Sequence, residues 1–183
     1  MIIVTGFGPY GNYVENVSSL IIQALEITDF ETEVRKEIIP VSWKFSIKMY
    51  KRVLNSSTSK PRLVILTGIH SSKRYYLEKI GLNFAFGNDI DNYFKFGVIE
   101  YKLNLWLKTT LDISRIYAIL KNNIDVRLSY FAGLYICNYI YFLALSFSRN
   151  RYPVLFIHIP HKESVHRGKE IISKIIRTID SIL

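Results

Sequence analysis

Three apolar runs set the limits on this fold. Ile2 to Thr5, Arg62 to Thr67 (RLVILT) and Val154 to Ile159 are short, continuous and β-branched, and each is broken by glycine or proline just beyond its end. Runs of this kind read as strands buried on both faces, which need a covering layer on each side. The segments between them supply that cover. Asn16 or Ser18 can cap a helix running through Leu20, Ile21, Ala24 and Leu25. A second helix, from about Ser42 to Leu54, puts Trp43, Ile47, Tyr50 and Leu54 on one stripe. Thr32 to Ile39 is a further strand ending at Pro40, and the polar run Asn55 to Lys60 is a loop. Downstream, Tyr75 to Phe86 reads as one strand and the next stretch, NDIDNYFKFGV, as irregular. Ser114 to Lys121 suits a helix, Asp125 to Leu128 a short strand and Leu134 to Phe147 a buried helix. Glu163 to Leu183 forms a last helix with Ile171, Ile172, Ile175, Ile176 and Ile179 inward. Strands alternating with helices predict an α/β domain around a largely parallel sheet, and 183 residues suffice for one domain over 1–183.

Charge and composition narrow the function classes. The formal charge of +9 comes from 24 Lys and Arg against 15 Asp and Glu. The basic residues are scattered, though, and the densest groups (Lys48, Lys51, Arg52; Lys162, Arg167, Lys169, Lys174) fall where a helix turns them to solvent. We therefore expect a solvated face and no nucleic-acid partner. Tyr130 to Phe147 is an 18-residue stretch without charge, but Asn138, four tyrosines and Gly133 dilute it. A buried helix is expected there and no membrane span. Met1 leads straight into strand residues, so no secretory leader is expected. The single cysteine, Cys137, suits a reducing compartment, and a cytoplasmic location follows.

The first loop, VTGFGPYG, spells Gly6-x-Gly8-x-x-Gly11 after a strand. Dinucleotide loops share that spacing, but there the helix begins at the loop and an acid closes the second strand. Here Pro9 and the polar string 12–16 delay the helix, and the second strand ends Ile38-Ile39-Pro40. No dinucleotide is expected. The loop instead offers two rings, Phe7 and Tyr10, at the carboxyl edge of a sheet, where open α/β folds bind ligands. They either cover the core or hold a small flat ligand.

Three more residues carry chemistry. Cys137 stands near a helix start, where the dipole and free amides favour a thiolate, although a free cysteine is also a common core residue. His158 sits at the carboxyl end of the last strand. Glu78 lies in the strand-like run Tyr76 to Ile80 and by itself fits an exposed strand face as well. His158, His161 and His166 lack the spacing of a metal site, so neither metal nor other cofactor is expected.

Four segments fall together into a known order. VTGFGPYG with Asn16 and Ser18, LEKIGLN (77–83), AGLYICNYIYFLAL (132–145) and FIHIP (156–160) resemble the loop, glutamate, cysteine and histidine motifs of the pyroglutamyl peptidase I family. The resemblance implies a three-layer α/β/α sandwich around a largely parallel mixed sheet. It implies a cytosolic cysteine peptidase that removes N-terminal pyroglutamyl residues from peptides, with Cys137 as nucleophile, His158 as base and Glu78 as orienting acid. Phe7 and Tyr10 would sandwich the lactam, and Tyr135 and Ile136 would line the same pocket. Relatives assemble as dimers or tetramers, so a homo-oligomer is implied as well.

Some positions depart from the family pattern. Asn88 stands where the family carries an arginine that helps stabilise the oxyanion, and at that place it would bind substrate with a neutral hydrogen bond without replacing the charge. Ser71-Ser72-Lys73-Arg74 replaces a glycine-rich segment, Val17 replaces a proline, and Ser129-Tyr130 stands in place of serine-asparagine. The alternative reading is a catalytically weak or inactive homologue that acts as a binding or structural protein.

Overall fold

The computed structural model describes residues 1–11, 14–56 and 60–183. Residues 12–13 of the expected polar string and 57–59 of the expected polar loop lie outside the described residues. Six strands form the main sheet in the order β2-β1-β3-β10-β4-β9, where β1 is Ile2–Phe7, β2 Val34–Ile39, β3 Leu63–His70, β4 Tyr75–Glu78, β9 Val126–Ser129 and β10 Val154–Pro160. All pairings are parallel except β10 with β4. The three apolar runs are the central strands β1, β3 and β10, buried through most or all of their lengths.

Alternate residues of these strands feed two cores, as the period of two requires. Val4, Ile65, Leu155 and Ile157 pack under α1 (Val17–Ala24), α3 (Ile113–Leu120) and α5 (Val165–Asp180). Ile3, Val64, Leu66 and Phe156 pack under α2 (Trp43–Asn55) and α4 (Ile136–Ser148). The three-layer sandwich follows, with mixed strand directions confined to one pairing. Of the isoleucines expected inward on α5, Ile172, Ile175, Ile176 and Ile179 are fully buried and Ile171 packs at the margin. Among the described residues no helix is long and apolar enough to cross a membrane.

Glycine 6 is required by this layering. A Cβ there would lie 2.7 Å from the carbonyl oxygen of Ser18, so its absence lets α1 lie against β1. The first glycine of the loop thus serves helix packing. Asn16 caps α1 by accepting from the Ser18 amide at 3.0 Å.

Two expectations are corrected. The segment Tyr75 to Phe86 is three strands: β4, then β5 (Ile80–Leu82), then β6 (Ala85–Asn88). Only β4 stays in the main sheet. β5 pairs with β8 (Trp106–Lys108), for which the sequence offered no expectation, and β6 pairs with β7 (Phe94–Gly97) inside the stretch read as irregular. The physical reason is capture of the backbone by distant side chains. Asn138 on α4 accepts from the Leu82 amide at 2.7 Å and donates to the carbonyls of Leu82 and Phe84, both at 2.9 Å. Asn83 donates to the carbonyls of Glu100, Leu103 and Asn104 and accepts from the Glu100 amide.

Candidate functional site

The carboxyl ends of β1, β3 and β10 meet at one edge of the sheet, and there a cavity of about 160 Å³ opens beside the amino end of α4. Phe7, Tyr10, Tyr135 and Ile136 line it as the sequence predicts, and Cys137 and His158 close its floor. Asn16, Val41, Ile69 and Ala132 complete the wall, and none of these four was expected to do so. For Asn16 a signal existed, because its motif position next to the loop was noted. Its Nδ2 donates to the Gly8 carbonyl at 3.1 Å while the Ser18 hydroxyl accepts from the Phe7 amide at 3.0 Å. The helix cap therefore also holds the loop that carries both rings.

Strand register brings the polar groups together. His158 lies opposite Tyr76 across the antiparallel pair β10–β4, and Phe156 lies opposite Glu78. His158 and Glu78 are therefore diagonal neighbours on one face, the spacing at which long side chains touch. Nδ1 of His158 is 2.7 Å from Oε1 of Glu78, with both residues buried. An ionised carboxylate only accepts, so Nδ1 carries the proton and Nε2 is left to face the cysteine. Cys137 lines the same cavity as this imidazole, and it bears on the imidazole's proton affinity. Burial alone would lower the pKa of His158, but the hydrogen bonds and charges of Cys137 and Glu78 outweigh it and push it up to about 9.

Gly68 makes room for the sulfur. It is the β3 partner of His158, and a Cβ on it would stand 2.8 Å from Sγ of Cys137 and 2.9 Å from Cζ of Phe156. Cys137 is the second residue of α4, whose N-cap, Tyr135, makes no side-chain capping bond. The first-turn amides thus lack a side-chain acceptor and point positive dipole toward the cavity end.

Tyr135 is held from two sides. Its hydroxyl donates to the Asn88 carbonyl at 2.7 Å, and its ring meets Trp43 edge-on at 5.4 Å. Burial, aided by the charge of Asp89, pushes that hydroxyl up to about 12, so it is a neutral donor at ordinary pH. Asn88, expected to contact the substrate, is instead exposed on β6 and is not among the residues lining the cavity, because the β6–β7 pairing carries it outward.

One neighbour escaped the sequence reading. His70, at the end of β3, lies with its ring 5.3 Å from that of His158, and its Nε2 donates to the Arg74 carbonyl at 2.8 Å. Burial, with a smaller contribution from the charge of His158, holds its pKa below the usual value. Among the described residues no group of three histidine, cysteine, aspartate or glutamate side chains could hold a metal.

Known proteins share this arrangement of elements. The pyrrolidone-carboxylate peptidase of Thermococcus litoralis is 31% identical over 169 residues, covering 87% of this chain and 76% of its own. Pyrrolidone-carboxylate peptidase 1 of Saccharolobus solfataricus is 29% identical over 176 residues, covering 89% and 80%. The solved structure of the Thermococcus litoralis enzyme superimposes with a TM-score of 0.90 at 25% identity, over 98% of this chain and 93% of that one. That of the Thermus thermophilus pyrrolidone carboxyl peptidase, at 23% identity, matches the fold with a TM-score of 0.87 over the whole of both chains. The sequence model of the pyroglutamyl peptidase family matches residues 1–176. With every strand and all but the last turn of α5 inside that match, the chain belongs to the pyroglutamyl peptidase family.

Proposed function

We propose that this protein is a cysteine peptidase that releases N-terminal pyroglutamyl residues from peptides through a thioester on Cys137. The observation that carries the reading is the Glu78–His158 hydrogen bond behind an apolar cavity that Cys137 and His158 line together. The lactam ring of pyroglutamate is flat and uncharged, so it suits walls of Phe7, Tyr10, Tyr135 and Ile136 better than a charged clamp.

In the reaction, Sγ of Cys137 attacks the carbonyl that joins pyroglutamate to the next residue, and His158 holds the proton that left the thiol. Glu78 fixes the imidazole so that Nε2 faces sulfur, and its negative charge favours the imidazolium. Collapse of the tetrahedral intermediate breaks the C–N bond as His158 protonates the departing amine. Water, deprotonated by the same imidazole, then hydrolyses the thioester. The first-turn amides of α4 supply donors for the oxyanion. Asn88 brings no positive charge to this site, and the absence of one oxyanion donor costs about 10²- to 10³-fold in turnover. We therefore expect a slow enzyme.

The reading also places the protein in a reducing cytosol, with two or four copies in the assembly. Sedimentation velocity tests the latter.

Release of a fluorophore from a pyroglutamyl amide tests the activity, with Cys137→Ser as the control. The reading fails if high enzyme concentrations release no fluorophore and Cys137 is alkylated no faster than a free thiol.

A further inference from the structure

A second hollow, of about 380 Å³, opens at the same edge of the sheet just past His158. Ser71, Ser72 and Lys73 form one side as the chain leaves β3, and Pro160, His161 and Lys162 form the other as it leaves β10. Arg167, in the first turn of α5, completes it. Pro160 is two residues beyond His158, about 7 Å along the strand.

The charges in this hollow do not cancel. Lys73 and Lys162 are exposed, and among the described residues neither makes an ion pair or side-chain hydrogen bond. The one acid among its lining residues, Glu163, is already engaged, in part by Arg167 of the same hollow. It accepts from the Tyr75 hydroxyl at 2.9 Å and the Ser164 amide at 3.0 Å, with Arg167 at 3.7 Å. His161 is held to the His70 carbonyl through Nδ1 at 3.2 Å, which fixes the two walls against each other.

The direction of the substrate follows from the chemistry. The departing amine must take its proton from His158, so the peptide beyond the scissile bond leaves the apolar cavity across that imidazole. Two or three extended residues span about 7–10 Å. Pro160, on the wall of the basic hollow, lies within that span of His158 along β10. We infer that this hollow is a subsite for a carboxylate carried by the substrate one to three residues after the pyroglutamyl group. The inference rests on the peptidase reading above and gives it a substrate class: short or acidic pyroglutamyl peptides.

The test measures binding, so that slow turnover does not obscure it. The full-length Cys137→Ala protein is titrated calorimetrically with pyroglutamyl-alanyl-alanine as its amide, with the same tripeptide as its free acid, and with pyroglutamyl-alanyl-glutamic acid α-amide. At low ionic strength at least one carboxylate-bearing peptide binds about five- to tenfold more tightly than the neutral amide. The advantage shrinks at about 0.5 M salt, where exposed charges are screened. The variant also carrying Lys73→Ala and Lys162→Ala brings the ratio of affinities close to unity. Preference for the free acid assigns the subsite to a chain terminus, and preference for the glutamyl amide assigns it to an acidic side chain. Equal affinity for all three peptides at low salt, or no binding of any, overturns the inference. Fluorophore release from a pyroglutamyl amide without carboxylate preference leaves the peptidase and removes the subsite. Carboxylate preference without any release supports the subsite and removes the catalysis.

Discussion

Nδ1 of His158 and Oε1 of Glu78 stand 2.7 Å apart because residues opposite Tyr76 and Phe156 are diagonal across β4 and β10. The imidazole keeps its proton in the folded chain up to about 9, against 6.5 for an unperturbed histidine. The folded state therefore binds more protons than the unfolded state between these values. This contribution to stability is fully present below about 6.5 and is lost as pH rises through about 9. It amounts to roughly 3 kcal/mol at most. Urea midpoints measured across this window should fall as pH rises, and Glu78→Gln should flatten the dependence.

Cys137 is the only sulfur nucleophile in the chain, and it sits where a serine oxygen fits with little steric change. An alcohol is far less acidic and less nucleophilic than a thiol. Cys137→Ser should therefore lower release of fluorophore from a pyroglutamyl amide by about 10³-fold or more. Its thermal midpoint should stay within a few degrees of the parent, about 1 kcal/mol or less of stability. Calorimetry alongside the assay separates lost chemistry from lost fold.

The central strands were legible because β1, β3 and β10 are continuous apolar runs, a pattern that depends only on burial of both faces. The last helix was legible for a similar reason, with four of its five inward isoleucines wholly buried. Strands β4, β5 and β6 were not separated, since Gly81 and Asn83 are only weak local interruptions of the run from Tyr75 to Phe86. The breaks come from the Asn83 and Asn138 side chains, whose partners lie elsewhere in the chain. Strand β7 was hidden because Phe94 and Phe96 are exposed on a two-stranded ribbon and so give no buried pattern. Glu78, Cys137 and His158 stood out through their motifs and not through local pattern, because their proximity is a product of register. His70 carried no motif, and only the parallel pairing of β3 with β10 puts it beside His158.

Gly68 packs against the nucleophile. A methyl group there would approach Sγ of Cys137 to 2.8 Å and Phe156 to 2.9 Å, so both side chains must move. Gly68→Ala should cost about 1–3 kcal/mol through overpacking. It should also lower kcat by about tenfold or more, because the displaced sulfur loses its alignment with His158. KM should change less, since the nearest atoms to the added methyl belong to Cys137 and Phe156 and to neither Phe7 nor Tyr10. Urea denaturation and steady-state kinetics of the variant measure these effects.

Asp89 ties the turn between β6 and β7 to the first turn of α2, and through it steadies the cavity wall. Oδ2 accepts from the Trp43 amide at 2.8 Å, and Oδ1 accepts from the amides of Asp91 at 3.0 Å and Tyr93 at 2.9 Å. The Trp43 indole donates to the Tyr93 carbonyl at 2.9 Å, and its ring backs Tyr135 and Tyr139 edge-on. Asp89 is itself buried. Asp89→Ala leaves three amides without their acceptor and should cost about 2–4 kcal/mol. Because the indole and the Tyr135 ring lose their fixed positions while Cys137 and His158 do not, KM for a pyroglutamyl amide should rise by about tenfold and kcat should change less. Asp89→Asn keeps one acceptor oxygen, so its stability and KM should fall between those of Asp89→Ala and the parent. If KM is unchanged in a folded Asp89→Ala protein, the clamp is structural alone and the ring of Tyr135 is held by the Asn88 carbonyl without its help.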